Sequence, residues 1–331
     1  MLIVYRIARD EAQPQNTRLQ RQTLGFGETI PPDAIWIDLV EPTRAEELLV
    51  EKTLGLEMPT REDMEDIELS ELLYHDDGAR YVTVKLLVAA EEEPDMAGVT
   101  FVLKGNTLVT VRYDEPRAFP MFVFRASKPG GTGGSAEAIF QGLIETIIDR
   151  SAELLQATAE DINALSRSVF EPQGKAAGKG HQQTLRALGH AGTLIAMSRE
   201  SLVSLERALL FLSASYRSGS GAGAVDLRKE MRTIVRDIQS LEEHATFQSG
   251  KIQFLLDATL GLVNLEQNNI IKLFSVMSVV FMPPTLIASI YGMNFQDMPE
   301  LSWDFGYPVA ILVMITAAVT PYFFFRWKGW L

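Results

Sequence analysis

LFSVMSVVFMPPTLIASIYGMNFQ, residues 273–296, contains no charged side chain, and neither does FGYPVAILVMITAAVTPYFFF, residues 305–325. About 20 apolar residues at roughly 1.5 Å rise cover the hydrocarbon thickness of a bilayer, so each run is long enough to cross one. A buried core helix is the other reading of one such run, but two in tandem favour membrane spans. Lys251 and Lys272 precede the first run, Arg326 and Lys328 follow the second, and the connection carries only Asp297, Glu300 and Asp304. This asymmetry predicts a hairpin with span 1 at 273–295, an external loop at 296–304, span 2 at 305–325 and a basic cytoplasmic tail at 326–331. MLIVYRIARD at the start does not read as a signal peptide, because Arg6, Arg9 and Asp10 interrupt its apolar opening. Residues 1–272 are therefore expected in the cytoplasm, with both termini on that side of a bacterial-type inner membrane.

Working outward from the hairpin, no helix breaker except Gly250 and Gly261 appears between Val225 and Pro283. A helix running unbroken to Tyr291 would be roughly 100 Å long, with 225–272 as a stalk before the membrane. Leu227, Met231, Ile234, Ile238, Leu241, Ala245, Gln248, Ile252, Leu255, Thr259, Leu262 and Glu266 fit a heptad register in that stalk. The seam suits either other copies of the chain or the chain's own preceding helices. Those helices are expected within 131–224, as a hairpin of Glu137–Phe170 and Gln182–Tyr216. QGKAAGKGH (173–181) separates the two and SGSGAGA (218–224) closes the second.

The first 130 residues read as an α/β domain, with strands at 2–8, 34–39, 80–88, 98–103 and 107–112 and a helix from Thr43 to Gly55. The fold class expected is an α+β cytoplasmic domain followed by long helices and a two-helix transmembrane hairpin.

Forty-three acids against 30 bases give a net charge of −13, which argues against a nucleic-acid partner and suits the attraction of cations. With no cysteine there are no disulfides, thiolate sites or cysteine nucleophiles. His75, His181, His190 and His244 are scattered, and no GxxxxGK[ST], GxSxG or HExxH order occurs, so neither an enzyme nor an organic cofactor is expected.

Two spans cannot enclose a polar path, so any pore must be oligomeric. Its natural lining is the stripe Asn268, Ile271, Ser275, Ser278, Met282, Thr285 and Ser289, which continues the stalk seam; Ser and Thr at this spacing also serve as helix-packing glue. Pro283 and Pro284 withhold two N–H groups and free the carbonyls of Val279 and Val280.

YGMNF at 291–295, the loop FQDMPELSWDFGYP at 295–308 and a second span ending in basic residues and WL resemble the CorA family of magnesium channels. The resemblance extends through 266–295 and to WIDLVEPT (36–43) and TREDMEDIE (60–68). It implies a funnel-like homopentamer in membrane lipid, with span 1 lining the pore and span 2 outside it. Gly292, Met293 and Asn294 would form the outer mouth, where Asn294 offers amide oxygens to hydrated Mg²⁺ through its water shell and Tyr291 braces the ring. Asp297 and Glu300 would concentrate cations, and Ile271 and Met282 would be hydrophobic gates. Cytoplasmic Mg²⁺ would close the channel at acids between subunits, with Asp63, Asp66 and Asp237 as candidates beside Glu65, Glu68, Asp76 and Asp77. Thr233 stands where the resemblance leads one to expect an acid. The tail RWKGWL is less basic than is usual in the family, leaving Lys272, Arg326 and Lys328 for a cytoplasmic basic ring.

The cargo implied is Mg²⁺, with Co²⁺ and Ni²⁺ as further candidates. Membrane potential suffices as the drive, since a divalent ion gains about 4.6 kcal/mol per 100 mV. The competing readings are a proton-coupled zinc transporter of the ZntB type, against which Met293 speaks because that type usually carries Val there, and a membrane-anchored scaffold without flux.

Overall fold

The computed structural model describes residues 1–9, 17–25, 27–66, 68–88, 94–131, 133–170, 177–216, 222–293 and 298–328. These fall into two compact units, Met1–Lys175 with Gln182–Leu255, and Ala176–His181 with Leu256–Leu331.

The first unit holds seven strands: β1 (Leu2–Arg9), β2 (Thr17–Leu24), β3 (Ala34–Val40), β4 (Leu73–Asp76), β5 (Ala79–Val88), β6 (Asp95–Lys104) and β7 (Thr107–Arg112). They form one sheet in the order β2-β1-β3-β7-β6-β5-β4, in which only β3 and β7 run parallel. Two-residue turns set the register of the β4–β5 and β6–β7 hairpins. Asp77 and Gly78 between β4 and β5 both have positive φ (45° and 74°), as a type I′ turn requires. Between β6 and β7 Gly105 sits at φ 58°, a conformation that costs glycine no Cβ clash.

Three short helices, α1 (Arg44–Leu54), α2 (Arg61–Glu65) and α3 (Leu69–Leu72), interrupt the strands. α1 begins with a capping box, in which Thr43 N–H and Oγ1–H donate to the Glu46 carboxylate at 2.8 and 3.0 Å, and it ends at Gly55 with φ 62°. The helix expected from Thr43 to Gly55 is therefore present.

Alternation along the strands gives the sheet two buried faces. Ile37 and Leu39 of β3 join Leu2, Val4, Val50, Met64, Tyr81, Val109 and Val111 in one core. On the other face Trp36 meets Phe119 and Phe122, and Phe101 meets Phe140, with ring centroids 5.3–6.3 Å apart. That face also buries a charge pair. Arg112 grips the Asp38 carboxylate through Nε and Nη2 at 3.1 and 3.0 Å, Thr110 Oγ1 donates to Asp38 at 2.7 Å, and Trp36 Nε1 donates to Thr110 Oγ1 at 2.9 Å. The pair is bidentate and hydrogen-bonded on several sides, which is what offsets the desolvation of two buried ions.

The remaining helices are α4 (Ala118–Ala126), α5 (Ala136–Phe170), α6 (Ala177–Ser215), α7 (Ala222–Tyr291) and α8 (Gly306–Trp327). α6 starts five residues before the expected Gln182, so Gly178 and Gly180, read as a link, are helical; a glycine costs a helix only about 1 kcal/mol. Strands β2 and β4 and helix α4 were not foreseen. Within the first unit Met231, Ile234, Ile238, Ala245, Gln248, Ile252 and Leu255 of α7 are buried in a single copy of the chain. Gln239 of α7 donates to Glu206 of α6 at 2.6 Å, and Lys251 donates to Asn163 of α5. The seam is thus covered by the chain's own preceding helices and not by a neighbouring copy.

Candidate functional site

In the second unit the helical periodicity of α7 separates two faces. Val276 is buried, and Val280, Pro283, Pro284 and Ile287 on the same side are half-buried. α8 has a half-buried face of Ala310, Ile311, Met314, Ala317, Ala318, Pro321 and Phe325, at the same helical period. Asn268, Ile271, Ser275, Ser278, Met282, Thr285 and Ser289 are all exposed, and at 3.6 residues per turn their stripe is centred roughly 150° around α7 from its covered face. Ile271 is 62% and Met282 68% exposed, so nothing in this chain covers them.

The hydroxyls on the stripe are oriented by their own helix. Ser278 Oγ donates to Phe274 O at 2.9 Å and Thr285 Oγ1 to Phe281 O at 2.8 Å. Each has used its one proton, so what it has left to offer is lone pairs, the feature a passing cation or its water shell requires. Pro283 and Pro284 lie inside α7 without ending it, and they withhold the N–H groups that the Val279 and Val280 carbonyls would otherwise accept.

At the end of α7 Gly292 N–H still donates to Ala288 O at 3.0 Å, and Met293 N–H reaches Ile290 O at 3.2 Å, so the spacing tightens from four residues to three. Gly292 does not take a positive φ. Tyr291 and Met293 are exposed. Asn294 and Asp297 lie outside the described residues, and Glu300 falls in a short 3₁₀ turn, Pro299–Ser302.

The regulatory candidates are not gathered in one chain. Asp63 serves as a helix cap, accepting from Thr60 N–H and Oγ1–H at 2.8 and 2.7 Å, Asp66 accepts from Glu68 N–H at 3.0 Å, and Asp237 is exposed on α7. Among the described residues no three His, Asp or Glu side chains converge as a metal site. Elsewhere in the first unit, burial followed by the nearby Glu206 pushes the Glu242 carboxyl above its usual range, against the pull of Arg199 and Arg207. Sequence reasoning also missed a cleft of about 470 Å³ lined by Leu69, Leu73, Lys85, Arg199 and Val203. Its walls come from segments more than 100 residues apart, so no local motif announces it.

An α+β unit followed by long helices and two apolar C-terminal helices defines a class of two-span membrane protein. The family of the CorA-like Mg²⁺ transporter protein matches residues 32–327, and the chain belongs to it. Over 320 residues it is 38% identical to the magnesium transport protein CorA of Escherichia coli strain K12, covering 96% of this chain and 98% of that one. The complete structure of the CorA magnesium transporter from Methanocaldococcus jannaschii superposes with a TM-score of 0.71 at 16% identity, covering 100% of this chain and 99% of that one. The ZntB cytoplasmic domain from Vibrio parahaemolyticus covers 79% of this chain and 98% of its own at a TM-score of 0.57 and 14% identity, a likeness of fold alone.

Proposed function

We propose that this protein takes up Mg²⁺ through a pore built from several copies of α7 around one axis, with α8 outside. The observation that carries this reading is the exposed stripe from Asn268 to Ser289, which faces away from the half-buried side of α7. Small, hydroxylated and amide-bearing residues on a membrane helix have no reason to face lipid, whereas they can line a wet path. In this reading five copies assemble, with the head and both termini on the cytoplasmic side, and membership of the family supports it.

Each part of the proposed path then has a task. Asn294 forms a ring of neutral acceptors at the outer mouth, which suits Mg²⁺ because this ion dehydrates reluctantly and is better held through its waters. Asp297 and Glu300 raise the local cation concentration. Ile271 and Met282 close the path by dewetting when the helices approach. The membrane potential draws the ion inward, and Mg²⁺ bound between subunits near Asp63, Asp66 and Asp237 shuts the path once the cytoplasm is replete.

The test is divalent flux into proteoliposomes with a negative-inside potential, comparing Mg²⁺ with Zn²⁺, with and without a proton gradient. Potential-driven Mg²⁺ entry that Asn294→Ala abolishes in a still-assembled oligomer is the expected result. Zn²⁺ entry that follows the proton gradient would assign the ZntB type of activity instead, and no flux of either ion would leave a scaffold.

A further inference from the structure

We infer that the inner end of the hairpin binds the headgroups of anionic phospholipids, with Lys272, Arg326 and Lys328 meeting the phosphates and Trp327 seated at the acyl boundary. Lys272 lies one turn before the buried Val276, so it flanks the half-buried side of α7 and is off the stripe of Ser278 and Met282. On α8 Phe323 and Trp327 project away from the half-buried face that ends at Phe325, and they are 61% and 79% exposed. Two aromatic rings one turn apart and turned outward from a membrane helix mark the lipid-facing side, and a tryptophan at its end marks the interface.

Lys328 is drawn to that same side. Its Nζ lies 5.5 Å from the centroid of the Trp327 ring, a cation–π distance that holds the ammonium over the outward-facing indole. Lys272, Arg326 and Lys328 are all exposed, and among the described residues none of them has a carboxylate within ion-pair distance. The acids of the hairpin lie at its other end, at Asp297, Glu300 and Asp304. Exposed cations where the first apolar run begins and where the second ends, the latter beside an outward-facing tryptophan, complement an anionic leaflet, where basic residues close to the surface are attracted individually. The inference rests on the membrane reading of the hairpin and is independent of whether ions pass through it.

Native mass spectrometry of the full-length oligomer in detergent tests it, by adding phosphatidylglycerol, phosphatidylcholine or inorganic phosphate to the wild type and to the Lys272→Gln/Arg326→Gln/Lys328→Gln variant. The wild type is expected to retain phosphatidylglycerol over phosphatidylcholine, and the variant to lose roughly tenfold of that preference. Lys328→Gln and Trp327→Leu, measured singly, should each lower retention in part and keep the test decisive if the triple variant does not assemble. Equal retention of both lipids by the wild type, or unaltered retention by the single variants, overturns the proposal. Displacement of the lipid by millimolar phosphate also overturns it and assigns a free-phosphate site instead. Lipid retention is read without any flux, so its failure and the failure of Mg²⁺ uptake are separate results.

Discussion

The head and the hairpin use their apolar residues in opposite ways. In the head Trp36, Phe101, Phe119 and Phe140 are fully buried by the chain itself, and the deeply buried Asp38–Arg112 pair is closed by Thr110 and the Asp114 carbonyl. In the hairpin Phe274, Phe281, Leu286 and Leu312 are exposed, and beyond Thr259 Val276 is the only apolar side chain buried among the described residues. Burial stabilises at about 25 cal/mol per Å² of apolar surface, so a hairpin left bare in water forgoes most of what its sequence has to offer. The head buries its core within one copy, whereas the apolar side chains of the hairpin are left exposed by that same copy.

The sharpest way to break that contrast is to damage the head alone. Asp38→Ala should destabilise it by about 3–5 kcal/mol, because the Arg112 guanidinium is left buried without its partner. Thermal unfolding followed by circular dichroism should show the loss, and a variant as stable as wild type would mean that the head does not stand on its own core. Next in size is a hairpin substitution that leaves the head untouched. Ser278→Leu should lower Mg²⁺ flux at least tenfold, about 1.4 kcal/mol, with the unfolding temperature of the head unchanged. Leu312→Ala, on an exposed face of α8, should leave flux near wild type, and equal losses in the two variants would erase the distinction between the faces.

A smaller head effect is expected at the capping box, where Thr43→Ala should cost about 1 kcal/mol in urea unfolding with no change in transport. Glu242 gives the smallest. Its carboxyl holds a proton to higher pH in the folded state than in the unfolded chain, so the native state binds more protons and stability falls as pH rises from the ordinary glutamate range near 4.5 through the raised folded value. Glu242→Gln should flatten that slope, and an unchanged pH profile of unfolding would show that water reaches the carboxylate freely.

What was legible in the sequence follows from the same contrast. Runs of 24 and 21 uncharged residues in tandem favour membrane spans over buried core helices, and the 3.6-residue period picked out a stripe that is exposed on α7. The strands with buried Val and Ile were equally clear. β2 was hidden because TRLQRQTL buries only Leu19 and Leu24 and reads as a polar segment, and α4 because AFPMFVFRA is short, aromatic and carries Pro120. The heptad from Met231 to Leu255 announced a covered face but not its cover, since period alone does not distinguish a partner copy from α5 and α6. The Asp38–Arg112 pair joins residues 74 positions apart, beyond the reach of any local pattern.

The back-bonded hydroxyls of α7 bear on what else can travel along the stripe. Hopping of hydrogen ions along a file of oxygens needs every member to give a proton as readily as it takes one. Ser278 and Thr285 have theirs committed to Phe274 and Phe281, so neither is free to pass a proton on. The wall of α7 therefore offers fixed acceptors and no relay of its own: any proton that moved beside it would have to be carried by water and not by these two side chains.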